Sequence, residues 1–194
     1  MASHFVSARL IYRAVEPTED EAFILAMLQD PIAWSNSNAV IAKPQCKKDA
    51  LKYIQYLEEA LLGVLICLPP TEAHEKPIPI GAIALKSVPA GMMHHRFTEI
   101  GIDIVKAYQG QGYGSEAINW ILEWAFETAG MHRVSVRHFE YNEGAGRLYK
   151  RLGFQVEGVI REELWHKGRW WDGFQLGMLS REWTELKQKR ETHS

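Results

Sequence analysis

The chain has 194 residues, of which 46% are hydrophobic and 24% are charged, and its formal net charge at pH 7 is -2. These proportions are typical of a globular protein that buries a core, and they argue against intrinsic disorder. A nearly neutral chain without a block of Lys or Arg is poorly suited to sequence-independent binding of nucleic acid or anionic lipid. We therefore expect a small-molecule partner, with no nucleic acid and no membrane.

The cysteine content and the N-terminal segment limit the class of protein further. Cys46 and Cys67 do not have the spacing of metal ligands, so neither a disulfide nor a metal site is predicted. Residues 1–9 lack the apolar segment of a signal peptide, and no apolar run approaches the ~20 residues of a membrane span. We expect one cytoplasmic domain over residues 1–194, with a core at about 9–183 and tails at 1–8 and 184–194, as a monomer or homodimer.

The first half of the chain alternates between strand-like and helix-like segments. The predicted strands are 10–15, 62–68, 78–88 and 96–105, and the predicted helices are 18–28 and 47–60. Thr18 is expected to cap the first helix, and Leu51 is expected on the inner face of the second. Segment 32–44 is predicted to be irregular, and His74 is expected to be exposed in the polar loop 69–77.

The second half contains a more strongly patterned set of elements. A helix at 115–129 ends at Gly130, a strand covers 133–139, and a short helix begins at Asn142 and ends at Gly153. A hairpin follows at 157–178 with its turn near 166–169, and from Thr184 the chain is predicted to be a frayed helix or tail. The order predicts an α/β fold of the α+β type, in which helices flank a mixed, mostly antiparallel sheet.

Three glycines stand within five residues at Gly110, Gly112 and Gly114, between a predicted strand and a predicted helix. Glycines in this position let backbone N–H groups point into a concavity, and the helix adds the positive end of its dipole. Such a loop is suited to a phosphate-bearing ligand, although a glycine-rich turn without a ligand would have the same sequence.

Two common nucleotide loops do not fit this stretch. A phosphate-loop nucleotidase needs Lys followed by Ser or Thr after the last glycine, whereas Ser115 and Glu116 follow Gly114 here. A dinucleotide loop would place its third glycine at Ser115, and it would need an acidic residue at the end of the next strand. The remaining pattern is Gln109, Gly112 and Gly114.

Several residues outside the loop carry a family resemblance. Glu99-Ile100-Gly101 precedes the loop, and Asn142 and the run from Tyr149 to Phe154 follow it. In this order the motifs resemble the GNAT superfamily of acetyl-CoA-dependent N-acetyltransferases over roughly residues 9–183. The similarity is greatest to the branch of the ribosomal-protein N-terminal and spermidine acetyltransferases. The members of that branch similarly end in four features, which are here Glu157-Gly158, Arg161, the hairpin and Trp171-Asp172.

The resemblance implies a single GNAT-like domain that uses acetyl-CoA and no metal. Strands 96–105 and 133–139 would be parallel and splayed, with the acetyl-CoA between them. The amides of the loop would bind the pyrophosphate, and the backbone of Ile104 and Val105 would contact the pantetheine arm. The residues implied in the loop are Gln109, Gly110, Gln111, Gly112, Tyr113 and Gly114. Asn142 matches the cofactor-side asparagine of the family, although a helix N-cap explains it equally.

The implied reaction is direct transfer of an acetyl group to a primary amine of a small molecule or a peptide N-terminus. Tyr149 matches the tyrosine that protonates the departing thiolate, and a phenol with a pKa of ~10 is protonated at neutral pH. A buried core aromatic would also explain it. Glu99 is the first candidate for the base, directly or through water. Some relatives place a glutamate where Arg137 stands, so His138 and Glu140 are alternatives.

The sequence indicates the acceptor less clearly than it indicates the donor. Trp34, Trp165, Trp171 and Asp172 are candidates for its pocket, because aromatic walls and a carboxylate suit a cation. A loop anchor, a core position or a dimer surface would explain these residues as well. Two other functions also stay open, namely a non-catalytic acyl-CoA-binding sensor or assembly domain and a nucleotide-binding domain.

Overall fold

The computed structural model describes residues 4–72 and 75–192, so the exposure expected for His74 lies outside the described residues. The chain divides into two compact units, and each is described by itself. The first unit comprises Met1–Ser87 and Gly101–Trp120, and the second comprises Val88–Ile100 and Ile121–Ser194. No helix within the described ranges has both the length and the hydropathy needed to cross a bilayer.

The first unit contains three antiparallel strands in the order β1 (Ile11–Arg13), β2 (Leu62–Leu68) and β3 (Ile78–Leu85). Beside β3 lies the second half of β4 (Phe97–Ile104), where the Val105 N–H group donates to the Ile80 carbonyl at 2.9 Å. Gly81 permits this close approach, because a Cβ there would collide with the Asp103 carbonyl.

Three helices of the first unit are α1 (Pro17–Leu28), α2 (Pro31–Ser37) and α3 (Lys47–Glu59). The prediction that Thr18 caps α1 is wrong, since Glu16 is the N-cap and Pro17 is the first helical residue. The prediction of an irregular segment at 32–44 is also wrong in its first part. Asp30 caps α2 by accepting hydrogen bonds from the N–H groups of Ile32 and Ala33, at 2.9 and 3.1 Å.

The first unit has its core between α1, α3 and the strands. Ile24, Ile54 and Leu65 are buried there, with Trp34 and Val105 packed against the cluster. The expected inner position of Leu51 is wrong, because its side chain is 48% exposed. The buried face of α3 is therefore narrower than the sequence predicted.

The second unit has the strand order β4, β5 (Arg133–Phe139), β7 (Arg169–Leu179) and β6 (Gln155–His166). The β4 and β5 strands are parallel, with a register that runs from Phe97 opposite Arg133 to Glu99 opposite Ser135. The other pairs of this unit are antiparallel. The predicted mixed sheet with one parallel pair is confirmed.

The turn of the predicted hairpin is also confirmed. His166 pairs with Arg169, and the two residues between them have positive φ, with 48° at Lys167 and 81° at Gly168. Two left-handed residues form the tight turn whose twist matches that of the adjoining strands. Further along β6, the register shifts between Ile160 and Leu164, which is a bulge.

The sequence predicted the last three helices, α4 to α6, with different success. The α4 helix (Tyr113–Glu123) continues as a π-helical turn at Trp124–Thr128 and stops before Gly130, and α5 (Glu143–Leu152) has Asn142 as its N-cap. Both agree with the sequence. Of the two alternatives predicted from Thr184, a frayed helix or a tail, the structure has a helix, α6 (Ser180–Glu191), in which Lys187 bonds to Glu123 and Glu127 at 3.0 and 2.6 Å.

Candidate functional site

The glycine loop, residues 109–114, joins the end of β4 to the start of α4 in the first unit. Gly110 and Gly112 have φ values of 73° and 87°, a backbone region that only glycine enters at little cost. Helix α4 begins at Tyr113, and the Glu116 N–H group bonds to the Gly112 carbonyl at 3.1 Å. In general, the first N–H groups of a helix have no carbonyl within the helix to bond, so the start of a helix can offer donors to a ligand.

Arg9 adds a positive charge to this loop, and the sequence did not indicate it. The Arg9 Nε atom donates to the Glu116 carboxylate at 2.8 Å, and Nη1 donates to the Gln111 carbonyl at 3.1 Å. The guanidinium carbon lies 4.6 Å from the centre of the Tyr113 ring. Nη2 lies 3.2 Å from the position that a Cβ on Gly112 would occupy, so this nitrogen borders the loop.

Glu116 fixes Arg9 in this position. Burial alone would raise the pKa of Glu116, but hydrogen bonds from the Ser7 hydroxyl and from Arg9 outweigh it and hold that pKa below its usual value. The carboxylate is therefore charged at neutral pH and orients the guanidinium. Amide donors, left-handed glycines and a guanidinium together fit an anionic phosphate group.

The predicted pantetheine contacts are partly occupied within the chain. The N–H group of Val105 donates to Ile80, and its carbonyl accepts from the Tyr108 N–H group, each at 2.9 Å. The Gln109 side chain donates to the Ile104 carbonyl at 2.8 Å. Because successive N–H groups of a strand point to opposite edges, the Ile104 N–H group faces away from Ile80. Of the predicted backbone contacts, the Ile104 N–H group is therefore the one most suited to bind the pantetheine arm.

Tyr149 lies on α5 in the second unit, and 6% of its surface is exposed. Its ring centre is 6.3 Å from that of His138 and 6.0 Å from that of Phe154. Asn142 caps the same helix by accepting from the Ala145 N–H group at 3.2 Å. The roles of Tyr149 in proton transfer and of Asn142 at the cofactor stay predictions.

The candidate bases have different surroundings. Glu99 is half-buried on β4, opposite Ser135. His138 is buried and stacks on Phe174 with ring centres 4.8 Å apart. Burial lowers the pKa of His138, so its ring is neutral at neutral pH.

The other charged residues at this end of β5 pair with the hairpin. Glu140 accepts from the Asp172 N–H group at 3.1 Å, and Arg137 bonds to Glu163 at 2.5 Å. Both side chains therefore have structural partners.

The predicted acceptor residues belong to different units. Trp34 is in the first unit, where it lines a cavity of about 480 Å³ with Leu28 and Pro31. The hairpin of the second unit carries Trp165, Trp171 and Asp172. The Trp171 Nε1 atom donates to the His166 carbonyl at 3.0 Å, and the Arg169 guanidinium carbon lies 3.4 Å from the centre of its ring.

Asp172 has a structural role in the hairpin. Its carboxylate accepts from the Glu162 N–H group at 2.9 Å. Glu162 has a φ of 52° and lies within the bulge of β6, so Asp172 stabilises an unusual backbone conformation. Its predicted contact with the acceptor stays a prediction. Within residues 4–72 and 75–192, no group of three or more His, Cys, Asp and Glu side chains is placed to hold a metal ion.

Asp103 was not predicted from the sequence to be a site residue, but the side chains around it in the structure make it a candidate. Its carboxylate accepts hydrogen bonds from the Ser37 hydroxyl at 2.5 Å and from the Tyr53 hydroxyl at 3.0 Å. Ser37 and Tyr53 lie on different helices, so only the tertiary structure brings these three side chains together.

Comparison with known proteins identifies the family. A family model described as an acetyltransferase (GNAT) domain matches residues 9–155. The chain belongs to the GNAT acetyltransferase family. An uncharacterised N-acetyltransferase of Bacillus subtilis is 35% identical over 78 residues, which cover 40% of this chain and 44% of that protein.

A second relative has an assigned substrate. The alanine N-acetyltransferase of ribosomal protein uS5 from Escherichia coli is 30% identical over 105 residues, which cover 54% of this chain and 53% of that protein. The chain therefore spans about half the length of the curated relatives that it matches.

Solved structures share the fold. Spermidine N-acetyltransferase from Vibrio cholerae, in complex with CoA and spermine, aligns with a TM-score of 0.73 and 22% identity, over 92% of this chain and 99% of that one. A GNAT-family acetyltransferase from Bacillus anthracis aligns with a TM-score of 0.72 and 19% identity, over 91% of this chain and 98% of that one. At these identities the likeness concerns the fold alone.

Proposed function

We propose that this chain transfers an acetyl group from acetyl-CoA to a primary amine. The glycine loop is the observation that carries this proposal. It combines left-handed backbone at Gly110 and Gly112, the start of α4 and the Arg9 guanidinium. Membership of the GNAT family supports a CoA ligand rather than another phosphate compound.

In the proposed reaction acetyl-CoA supplies a thioester carbonyl as the electrophile. The loop N–H groups and Arg9 hold the phosphates, which fixes the direction in which the pantetheine arm leaves the loop. Contact of the arm with the Ile104 N–H group would position it along β4. These residues therefore bind and orient the donor.

Two side chains are proposed to move protons. Glu99 accepts a proton from the acceptor nitrogen, directly or through water, because an ammonium has no lone pair for attack. As the new C–N bond forms and the C–S bond breaks, the Tyr149 hydroxyl donates its proton to the sulfur, and the second proton that the nitrogen loses on becoming an amide returns through solvent to the Tyr149 phenolate. General acid catalysis by a positioned side chain contributes roughly 10²- to 10⁴-fold.

The acceptor is proposed to be a small-molecule amine or a peptide N-terminus. The uS5 enzyme acetylates an alanine, and the Vibrio cholerae structure contains spermine. Both kinds of acceptor present a primary amine. The proposal for this chain is limited to that shared group.

Thiol release from acetyl-CoA tests the proposal, with polyamines, amino acids and peptides with free N-termini as acceptors. We expect amine-dependent release of thiol and a matching gain of one acetyl group in the mass of the acceptor. Binding of acetyl-CoA without release for any acceptor would favour the non-catalytic sensor or assembly domain. Thermal stabilisation by ATP or NAD but not by CoA would favour a nucleotide-binding domain.

A further inference from the structure

We propose that Asp103 binds a positively charged group of the acceptor, adjacent to the amine that is acetylated. This inference rests on the proposed acetyl transfer and narrows its acceptor class to amines with a second positive charge. The Asp103 site consists of Ser37 on α2, Tyr53 and Tyr56 on α3, and Asp103 on β4. All four residues belong to the first unit.

The carboxylate of Asp103 is held in a fixed orientation. Ser37 donates to its Oδ1 atom at 2.5 Å, and Tyr53 donates to its Oδ2 atom at 3.0 Å. Burial raises the pKa of the Tyr53 phenol, so Tyr53 is protonated and acts as a donor at neutral pH. Each carboxylate oxygen has two lone pairs, so one hydroxyl on each oxygen leaves room for a further donor.

The charge of Asp103 has no positive counterpart in the described part of the chain. Burial raises the pKa of Asp103 above its usual value, the Ser37 and Tyr53 hydroxyls offset this only in part, and no Lys or Arg contributes. A carboxylate removed from water in this way is costly unless it is paired. A cationic ligand would provide the missing charge.

The surroundings of the carboxylate suit an ammonium group. The rings of Tyr53 and Tyr56 lie 5.8 Å apart at 55° and pack against the core of the first unit, and the Tyr53 ring presents its hydroxyl to the carboxylate. The Tyr56 hydroxyl approaches β4 closely, since a Cβ on Gly101 would lie 3.2 Å from it. Ser37 is exposed and Asp103 is half-buried, so the Asp103 site borders solvent.

The position of Asp103 along the chain relates it to the donor. It directly precedes Ile104, the predicted contact of the pantetheine arm, and lies on the strand that leads into the glycine loop. The attacking nitrogen must be neutral, so the charge that Asp103 binds belongs to a second group of the acceptor. Short diamines and peptides with a basic residue next to the N-terminus share this chemistry.

The test uses two acceptor pairs whose members differ by one charge. The pairs are 1,4-diaminobutane with butylamine, and an Ala-Lys peptide with an Ala-norleucine peptide. We expect wild type to prefer the charged member of at least one pair by about tenfold or more in kcat/KM, the size of a charge-assisted hydrogen bond. In Asp103→Asn this preference should disappear through a higher KM, with butylamine and Ala-norleucine unaffected.

Separate control experiments distinguish an effect on folding from an effect of the Asp103 charge. The side-chain amide introduced by Asp103→Asn can still pair with the two hydroxyls, and the melting temperature with and without CoA monitors the fold. Glu58→Gln, which removes an exposed carboxylate from α3, should keep the preference. Tyr53→Phe retains the charge but releases the carboxylate, so we expect a smaller rise in KM.

The outcomes separate this inference from the proposed function. Amine acetylation without any charge preference, or an equal loss of kcat on both members of a pair in Asp103→Asn, would overturn the inference and leave acetyl transfer intact. Calorimetric binding of 1,4-diaminobutane to the CoA complex, lost in Asp103→Asn, would support the inference even if no amine is acetylated.

Discussion

Tyr149 shows how one side chain can belong to the core and still have a chemical role. Its ring packs among His138 and Phe154, and only its hydroxyl is available for proton transfer. Removing the hydroxyl alone therefore separates the two roles, because the packing of a phenyl ring is almost the same.

Tyr149→Phe should lower kcat by roughly 10²-fold or more, with little change in the affinity for acetyl-CoA. Steady-state kinetics and calorimetry measure the two quantities. Tyr141→Phe is the matched control, since it removes a hydroxyl from a tyrosine of the same unit that stacks on His166. An unchanged kcat in Tyr149→Phe would remove this residue from the mechanism.

Asp20 is a buried carboxylate that is paired with a charged side chain. It is 3% exposed, and both of its oxygens accept from the Arg13 guanidinium at 2.8 Å. Burial raises the pKa of Asp20, but the hydrogen bonds from Arg13 and from the Glu16 N–H group outweigh it, so the pKa lies below its usual value. The ionised form therefore stabilises the fold.

Asp20→Asn should lower the free energy of unfolding at pH 7 by about 2 kcal/mol, because the partly buried Arg13 guanidinium loses its charged hydrogen-bond partner. The folded-state pKa lies below the unfolded value of ~3.9, so this stabilisation is complete above ~3.9 and is lost as the pH falls toward the folded value. Urea unfolding from pH 7 to pH 3 should show the difference between wild type and variant shrink. A difference that does not depend on pH would contradict this assignment.

At the scale of single elements, the hairpin turn depends on two residues with positive φ. Glycine is suited to this conformation at position 168, whereas Lys167 adopts it at a cost. A Cβ on Gly168 would meet nothing within 4 Å, so a substitution there acts through the backbone alone.

Gly168→Ala should destabilise the protein by about 1 kcal/mol, and Lys167→Asn should stabilise it by roughly 0.5 kcal/mol, since Asn tolerates the left-handed region. Denaturant unfolding of both variants measures these opposite effects. A stabilising Gly168→Ala substitution would mean that the turn has another conformation.

The glycine loop gives a second prediction for an element. Gly112→Val should abolish acetyl-CoA binding, because a side chain at φ 87° is strained and its Cβ would lie 3.2 Å from Arg9 Nη2. Calorimetry with acetyl-CoA measures the affinity, and the melting temperature without ligand reports the fold. Gly91→Ala is the control, since its Cβ meets nothing within 4 Å. Unchanged affinity in Gly112→Val would contradict the assignment of the glycine loop as the acetyl-CoA site.

For the molecule as a whole, the C-terminal helix is part of the fold rather than an appendage. Trp183 is buried, Leu186 packs against Gly153, and Lys187 bonds to two glutamates of the second unit. A chain that ends at Trp183 should melt several degrees lower, since a loss of about 2 kcal/mol corresponds to roughly 4–8 °C for a domain of this size. An unchanged melting temperature would mean that these contacts of α6 add nothing to stability, as expected of a frayed helix or tail.

The sequence by itself determined the elements that depend on local chemistry. Asn142 and Gly153 delimit α5, the turn at Lys167 and Gly168 defines the hairpin, and the strand at 133–139 has the predicted bounds. In each case the deciding hydrogen bond or backbone conformation lies within a few residues, so the sequence contains it directly. The glycine loop belongs to the same group.

The tertiary structure alone decided how distant residues combine. Arg9 meets the loop more than 100 residues away in sequence, and Asp103 meets Ser37 and Tyr53 across separations of 66 and 50 residues. Trp171 and Asp172 were predicted to contact the acceptor, yet their polar groups are used within the hairpin. Local periodicity specifies the face of an element but not the partner that covers it, and charge pairing depends on that partner.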